Sequence, residues 1–174
     1  MNEVIRAMEE RRSIRKFKPT MPPKADLEQI VEAGLYAANG KGKQATLIVA
    51  VTNKELRDQL AEINAEIGGW EKGFDPFYGA PVIFIVLADK KWPTHVYDGS
   101  LVMGNLMLAA ASLGLGSCWI NRAKEEFESD EGKALLKKWG IEGDWVGIGH
   151  CILGYPAADP KPAAPRKPDY IVKV

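Results

Sequence analysis

The sequence predicts a helix-and-sheet sandwich of the α+β or α/β class, on three observations. Its 174 residues, set against ~150 per domain, give one domain spanning 1–174. Four short apolar runs read as buried strands, and the segments between them carry apolar residues at helical spacing. Long irregular connections join these elements, with no internal repeat and no dividing linker.

In chain order, residues 2–12 read as a first helix with Val4, Ile5 and Met8 on one face. Residues 13–19 are extended and basic, and Met21-Pro22-Pro23 forces a turn. Leu27, Ile30, Val31, Gly34 and Ala38 keep the 3.6-residue period of a second helix, stopped at Asn39-Gly40. A strand over 46–51 precedes a third helix, opened by Asn53 and closed by Gly68-Gly69. A second strand covers 80–88, a long uncharged helix about 98–113, and a third strand 116–120. Ser129 caps a short helix to Trp139, and 145–153 is the last strand. Five of the eleven prolines fall in 156–168, so 156–174 is expected as an extended arm.

Composition excludes several function classes. Lys plus Arg (23) equals Asp plus Glu (23), so no global field draws in nucleic acid or an anionic membrane. The uncharged stretch 99–121 raises a membrane question. Its helical part would be only about 22 Å long, against a hydrocarbon core of ~30 Å, so no membrane span is expected. Two distant cysteines, Cys118 and Cys151, form no C-x-x-C pair, which disfavours a disulfide framework or a cysteine zinc site. That usage, and an N-terminus without a signal-peptide core, fit a cytoplasmic protein.

The strongest local anomaly is Arg11-Arg12-Ser13-Ile14-Arg15-Lys16-Phe17-Lys18, five basic residues in eight with no acidic one. Strand alternation would send Ser13, Arg15 and Phe17 to one side and Ile14 and Lys16 to the other. Guanidinium forks beside a small hydroxyl suit a phosphate; a solvated basic helix end is the competing reading. No P-loop, complete G-x-G-x-x-G, G-x-S-x-G or H-E-x-x-H pattern is present. His150 lies inside an apolar strand and reads as a hydrogen-bonded core residue, the cysteines as small buried hydrophobes. No catalytic side-chain constellation emerges, so no metal site is expected and a bound cofactor would carry the chemistry.

Four blocks in this order resemble the nitroreductase family of flavin-mononucleotide (FMN) oxidoreductases over nearly the whole chain. The first, residues 11–17, resembles the family's R-R-S-x-R-x-F. The second runs from Leu35 through Asn39-Gly40 to Gln44. The third runs from Asp98-Gly99-Ser100 to Gly116-Ser117-Cys118-Trp119-Ile120. The fourth runs from Gly149 to Tyr155-Pro156. The second block departs from the family pattern: Ala38 stands for proline, Gly42 for asparagine, and Ala45-Thr46 for Pro-Trp.

The resemblance implies a three-layer sandwich, a mostly antiparallel central sheet flanked by helices, with flavin at a homodimer interface. It implies FMN held by Arg11, Arg12, Ser13 and Arg15, with Arg166 reaching the same phosphate from the arm. Ala38, Asn39, Gly40 and Gln44 would meet the flavin ring from the partner, and the backbone of Cys118, Trp119 and Ile120 would offer N–H groups to it. NADH or NADPH would be the electron donor, and a nitroaromatic, quinone or similar planar molecule the acceptor, in a ping-pong sequence. A flavin-storage or sensor protein is the alternative within flavin binding. Four aromatics, Trp70, Phe74, Phe77 and Tyr78, crowd the segment 69–79. They form either a lid over the flavin that stacks on planar substrates or a cap on the core beside Trp92 and Tyr97.

Overall fold

The computed structural model describes residues 2–174. Its elements are α1 (Glu3–Glu10), α2 (Lys24–Leu35), β1 (Thr46–Val51), α3 (Lys54–Gly68) and β2 (Val82–Asp89). There follow α4 (His95–Ser112), β3 (Gly116–Ile120), α5 (Ala123–Glu128), α6 (Asp130–Lys138) and β4 (Trp145–Gly154). The strands form one antiparallel sheet in the order β1-β2-β4-β3. Of the two classes open from the sequence, the structure is therefore α+β.

Two cores, one on each face, account for the continuous apolar runs of the central strands. Val82, Phe84 and Val86 of β2, with Cys151 and Leu153 of β4, pack under α2 and α4. The alternate residues Ile83, Ile85 and Leu87, with Cys118 and Ile152, pack under α3, α5 and α6. A strand covered on both faces has no solvent side, so it shows no polar alternation. The histidine of β4 follows the same logic. His150 Nε2 lies 2.8 Å from Glu126 Oε2 of α5, both side chains fully buried, with the rings of Phe77 and Phe127 beside the imidazole.

Caps explain most boundaries. Asn2, Asn53 and Ser129 each accept a hydrogen bond from the third residue on, closing the N-termini of α1, α3 and α6. Helix α2 ends at Leu35, short of the expected Ala38, and α4 begins at His95, before the expected 98. Helix α5 carries no side-chain cap at Arg122, and no sequence signal announces it. Helix α1 departs most from expectation. Val4, Ile5 and Met8 do share a face, yet the helix buries no residue and leaves all three exposed.

The basic segment after α1 is a strap across one end of the sheet. Ser13 bridges Ser117 in β3 and Phe17 bridges Pro156 just beyond β4. Ile14 N donates to Ser117 O, Lys18 N to Tyr155 O, and Ala157 N to Lys16 O, each at 2.9 Å. Because the strap pairs first with β3 and then with the segment beyond β4, simple alternation fails. Phe17 turns inward with Ile14, both under 9% exposed, while Ser13 and Arg15 face solvent.

Candidate functional site

The predicted site residues fall at two ends of α4. At its C-terminal end, a cavity of about 470 Å³ opens between α1, the turn 113–116 and the strap. Arg6, Arg11 and Arg12 line it against Glu3 and Glu10, three guanidiniums to two carboxylates. Arg11 Nη1, Arg12 Nε and Ser117 Oγ are buried there without a hydrogen-bond partner. An unpartnered buried donor costs about 1–3 kcal/mol, so such a cluster marks a candidate site for an acceptor-rich ligand. Arg12 Nη1 by contrast is spent on Glu9 O and Arg11 O.

Ser13 and Arg15 stand on the outer side of the strap, exposed and free of ion pairs among the described residues. On the adjoining strand, Cys118 and Ile120 point into the α3/α5/α6 core and Trp119 to the other face. Of the three, only Cys118 is fully buried. The Trp119 indole N–H is itself buried and unpartnered. Burial pushes the Cys151 thiol up to about 12, with the neighbouring Cys118 adding to the shift, so neither geometry nor ionisation makes it a nucleophile.

Ala38, Asn39, Gly40 and Gln44 gather at the N-terminal end of α4. Asp98, 3% exposed, holds this loop through Oδ1, which accepts from Gly40 N at 3.0 Å, while its Oδ2 accepts from Thr94 Oγ1 at 3.0 Å. Gly40 permits that approach, because a Cβ there would sit 2.2 Å from Thr94 Oγ1. Asn39 is consumed inside the loop, Oδ1 accepting from Gln44 N at 2.9 Å and Nδ2 donating to Ala37 O. Gln44 and Lys41 adopt left-handed backbone (φ 50° and 55°), a conformation that non-glycine residues hold only when surroundings fix it.

The two groups are not brought together within one chain. Asp98 and Ala111 are thirteen residues apart on one helix, about 20 Å at ~1.5 Å per residue. Arg166 is likewise apart: its guanidinium donates only to Ala164 O in an exposed arm. The arm meets the cavity through Pro156 and Pro160. Sequence reasoning passed over Asp98 as an anchor and the Ser117 hydroxyl as a site group. Both are single polar residues in apolar stretches, a signal that becomes readable only once burial is known. No metal-ligating cluster occurs among the described residues, and no described helix is long and apolar enough to cross a membrane.

Comparison with known proteins places the chain in a family. The Nitroreductase family model matches residues 8–73 and 68–155. The NADPH-flavin oxidoreductase of Vibrio harveyi is 30% identical, over 99% of this chain and 73% of its own length. A nitroreductase with bound FMN from Bacteroides fragilis superposes at a TM-score of 0.89, with 30% identity and 100% of both chains covered. A second FMN-bound nitroreductase, from Desulfitobacterium hafniense, gives 0.89 with 29% identity, covering 100% of this chain and 99% of its own. With this match spread from the first helix to the end of the last strand, the chain belongs to the nitroreductase family.

Proposed function

We propose that this protein is an FMN-dependent NAD(P)H oxidoreductase that works as a pair of identical chains. The observation that carries the reading is the cluster of buried, unpartnered groups at the strap: Arg11 Nη1, Arg12 Nε and Ser117 Oγ. A terminal phosphate, with two negative charges and several acceptor oxygens, fits those donors, and Ser13 and Arg15 add a hydroxyl and a permanent cation outside. A nucleotide pyrophosphate fits less well, since no glycine-rich loop opens a helix there. The flavoproteins matched above supply the cofactor's identity, and FMN carries one such phosphate.

When bound, FMN supplies the two-electron chemistry, in our reading by ping-pong exchange between NADH or NADPH and a nitroaromatic, quinone or similar planar acceptor. The chain's part is to bind, orient and exclude water. Backbone N–H groups around Cys118, Trp119 and Ile120 would serve the ring as fixed dipoles, which cost no reorganisation when charge develops. The loop 38–44, held by Asp98, would cover the ring from the second copy. Its distance from the strap in one chain is what favours that arrangement. Around it Leu35, Tyr36, Val96, Tyr97 and Leu101 are exposed, a patch that a second chain would bury. Arg166 would reach the phosphate if the arm folds back over Pro160.

Purified protein should be yellow and release FMN, not FAD, on denaturation. Anaerobic mixing with NADH or NADPH should bleach it within the turnover time, and a quinone or nitroaromatic should restore the colour. Colourless protein that takes up no added FMN overturns the reading. Bound flavin that either nicotinamide reduces only over minutes instead supports storage or sensing.

A further inference from the structure

We propose that the cleft between α3 and the turn 69–75 is a binding site for a planar organic cation of the N-alkylpyridinium type. Trp70 and Phe74 would stack on its ring, and Glu62, Glu66 and Glu71 would meet its charge. The proposal deepens the reading above by naming a substrate class, and only its relevance to turnover rests on that reading.

The cleft is a cavity of about 780 Å³, larger than the one at the strap. Trp70 is 57% exposed and Phe74 37%, their ring centroids 4.9 Å apart and tilted by 35°. Tyr78 continues the row edge-on to Phe74 at 5.9 Å. Large rings left in a concave wall keep apolar area in water that a planar ligand would remove.

The wall is built in place. Trp70 N donates to Ala65 O at 3.0 Å, folding the turn back on the end of α3. Gly68 makes room for the indole, because a Cβ there would lie 2.5 Å from its nitrogen. Below, the buried Arg57 pairs with Asp58 and Asp75 and donates to Ala80 O at 3.0 Å. Asp75 in turn accepts from Phe77 N at 2.9 Å and Gly79 N at 2.7 Å. The rings therefore sit on a braced turn and need little ordering on binding.

Charge decides which planar molecule fits. Asp58, Glu62 and Glu66 recur every four residues, so their carboxylates rise one above another along the cleft face of α3. Lys54 and Arg57 neutralise Asp58 and hold its carboxyl below the ordinary value. Glu62, Glu66 and Glu71 have no ion pair among the described residues, and Lys72 is the one further cation on the wall. The acidic row alone would be a solvated helix face. Bordering two presented rings, it makes a pocket that combines cation–π attraction with carboxylates and repels anions.

The test compares three bicyclic probes of matched size: N-methylquinolinium (cation), quinoline (neutral at pH 8) and 1-naphthoate (anion). Each is titrated calorimetrically into the purified protein, with flavin content recorded alongside. The expected order is cation, neutral, anion, with about ten-fold between cation and anion at low salt, shrinking as salt rises. Combined E62Q, E66Q and E71Q should bring cation and neutral probe within about two-fold, without weakening quinoline. Trp70→Leu should weaken all three, and Phe74→Leu serves as the second wall variant should the first misfold. Equal affinity of wild-type protein for the three probes, or cation binding unchanged in the triple variant, overturns the proposal. Colourless protein that still selects the cation overturns the flavin reading and leaves this one standing.

Discussion

The two ends of α4 solve opposite problems with similar residues. At its N-terminal end every named polar group of the loop has a partner: Asp98 takes Gly40 N and Thr94 Oγ1, and Asn39 takes Gln44 N. At its C-terminal end Arg11 Nη1, Arg12 Nε and Ser117 Oγ are hidden from water and have none. Satisfied polar groups fix a backbone; unsatisfied ones cost stability until something arrives. The first end is therefore a preformed tool, the second a socket, and ~20 Å of helix keeps one chain from applying its tool to its own socket.

The sharpest way to break that contrast is to separate the two ends onto different copies. Protein carrying R11A and R15A, and protein carrying G40V, should each lose most of its bound flavin. Unfolding and refolding the two together should restore about a quarter of the wild-type sites, the yield of random two-fold pairing with one intact site per mixed pair. Flavin fluorescence after gel filtration reads it, and no recovery would mean that each chain builds its own site.

Next in size is the tool. Asp98→Ala leaves two donors at a nearly buried position unpartnered, so stability should fall by about 2–3 kcal/mol. Chemical denaturation measures it, and a fall below ~0.5 kcal/mol, the range of ordinary surface changes, would mean that the loop is not held by Asp98.

The socket should show the reverse pattern. Arg15→Ala removes an exposed side chain and should leave stability within about 0.5 kcal/mol, while weakening FMN by roughly 1.5–3 kcal/mol. Riboflavin, which lacks the phosphate, should be nearly unaffected. Arg166→Ala in the same titration decides whether the arm takes part. Losses equal for both flavins would mean that these arginines support the fold and do not read a phosphate.

The last effect appears only at alkaline pH and lies between the two ends, in the sheet. The Cys151 thiol is held at about 12 against an ordinary 9.0. Above pH 9 the unfolded chain releases this proton and the folded chain keeps it, so stability falls as pH rises toward 12. Relative to Cys151→Ala, the wild type should lose up to about 1.4 kcal/mol per pH unit over that window. Parallel stability profiles for the two proteins would show that the thiol is not shielded as the packing indicates.

Most elements were legible in the chain, for reasons particular residues make plain. Asn53 and Ser129 announced helix starts because their short side chains cap backbone N–H groups locally. The run at 80–88 announced a buried strand, found at Val82–Asp89 with both faces covered. Helix α5 was illegible: six residues, no side-chain cap, and a start at Arg122 in left-handed backbone (φ 78°), which only its neighbours can impose. The strap's residue types were legible, but its facing was not. Alternation assumes one partner strand, and Phe17 obeys Pro156 while Ser13 obeys Ser117.

What the sequence determined by itself is therefore the local part: helix caps, apolar periods, the basic run with its serine, and the ordered blocks of the nitroreductase family. These depend on contacts within a few residues or on composition. Only the tertiary structure decided which of those groups are hidden and which find partners. It paired Asp98 with Gly40 across 58 positions and Arg57 with Asp75 across 18, and it left Arg11 and Ser117 without acceptors. The reason is physical. The cost of an unmet hydrogen bond depends on burial, and burial is a property of the packed chain that no single stretch of it carries.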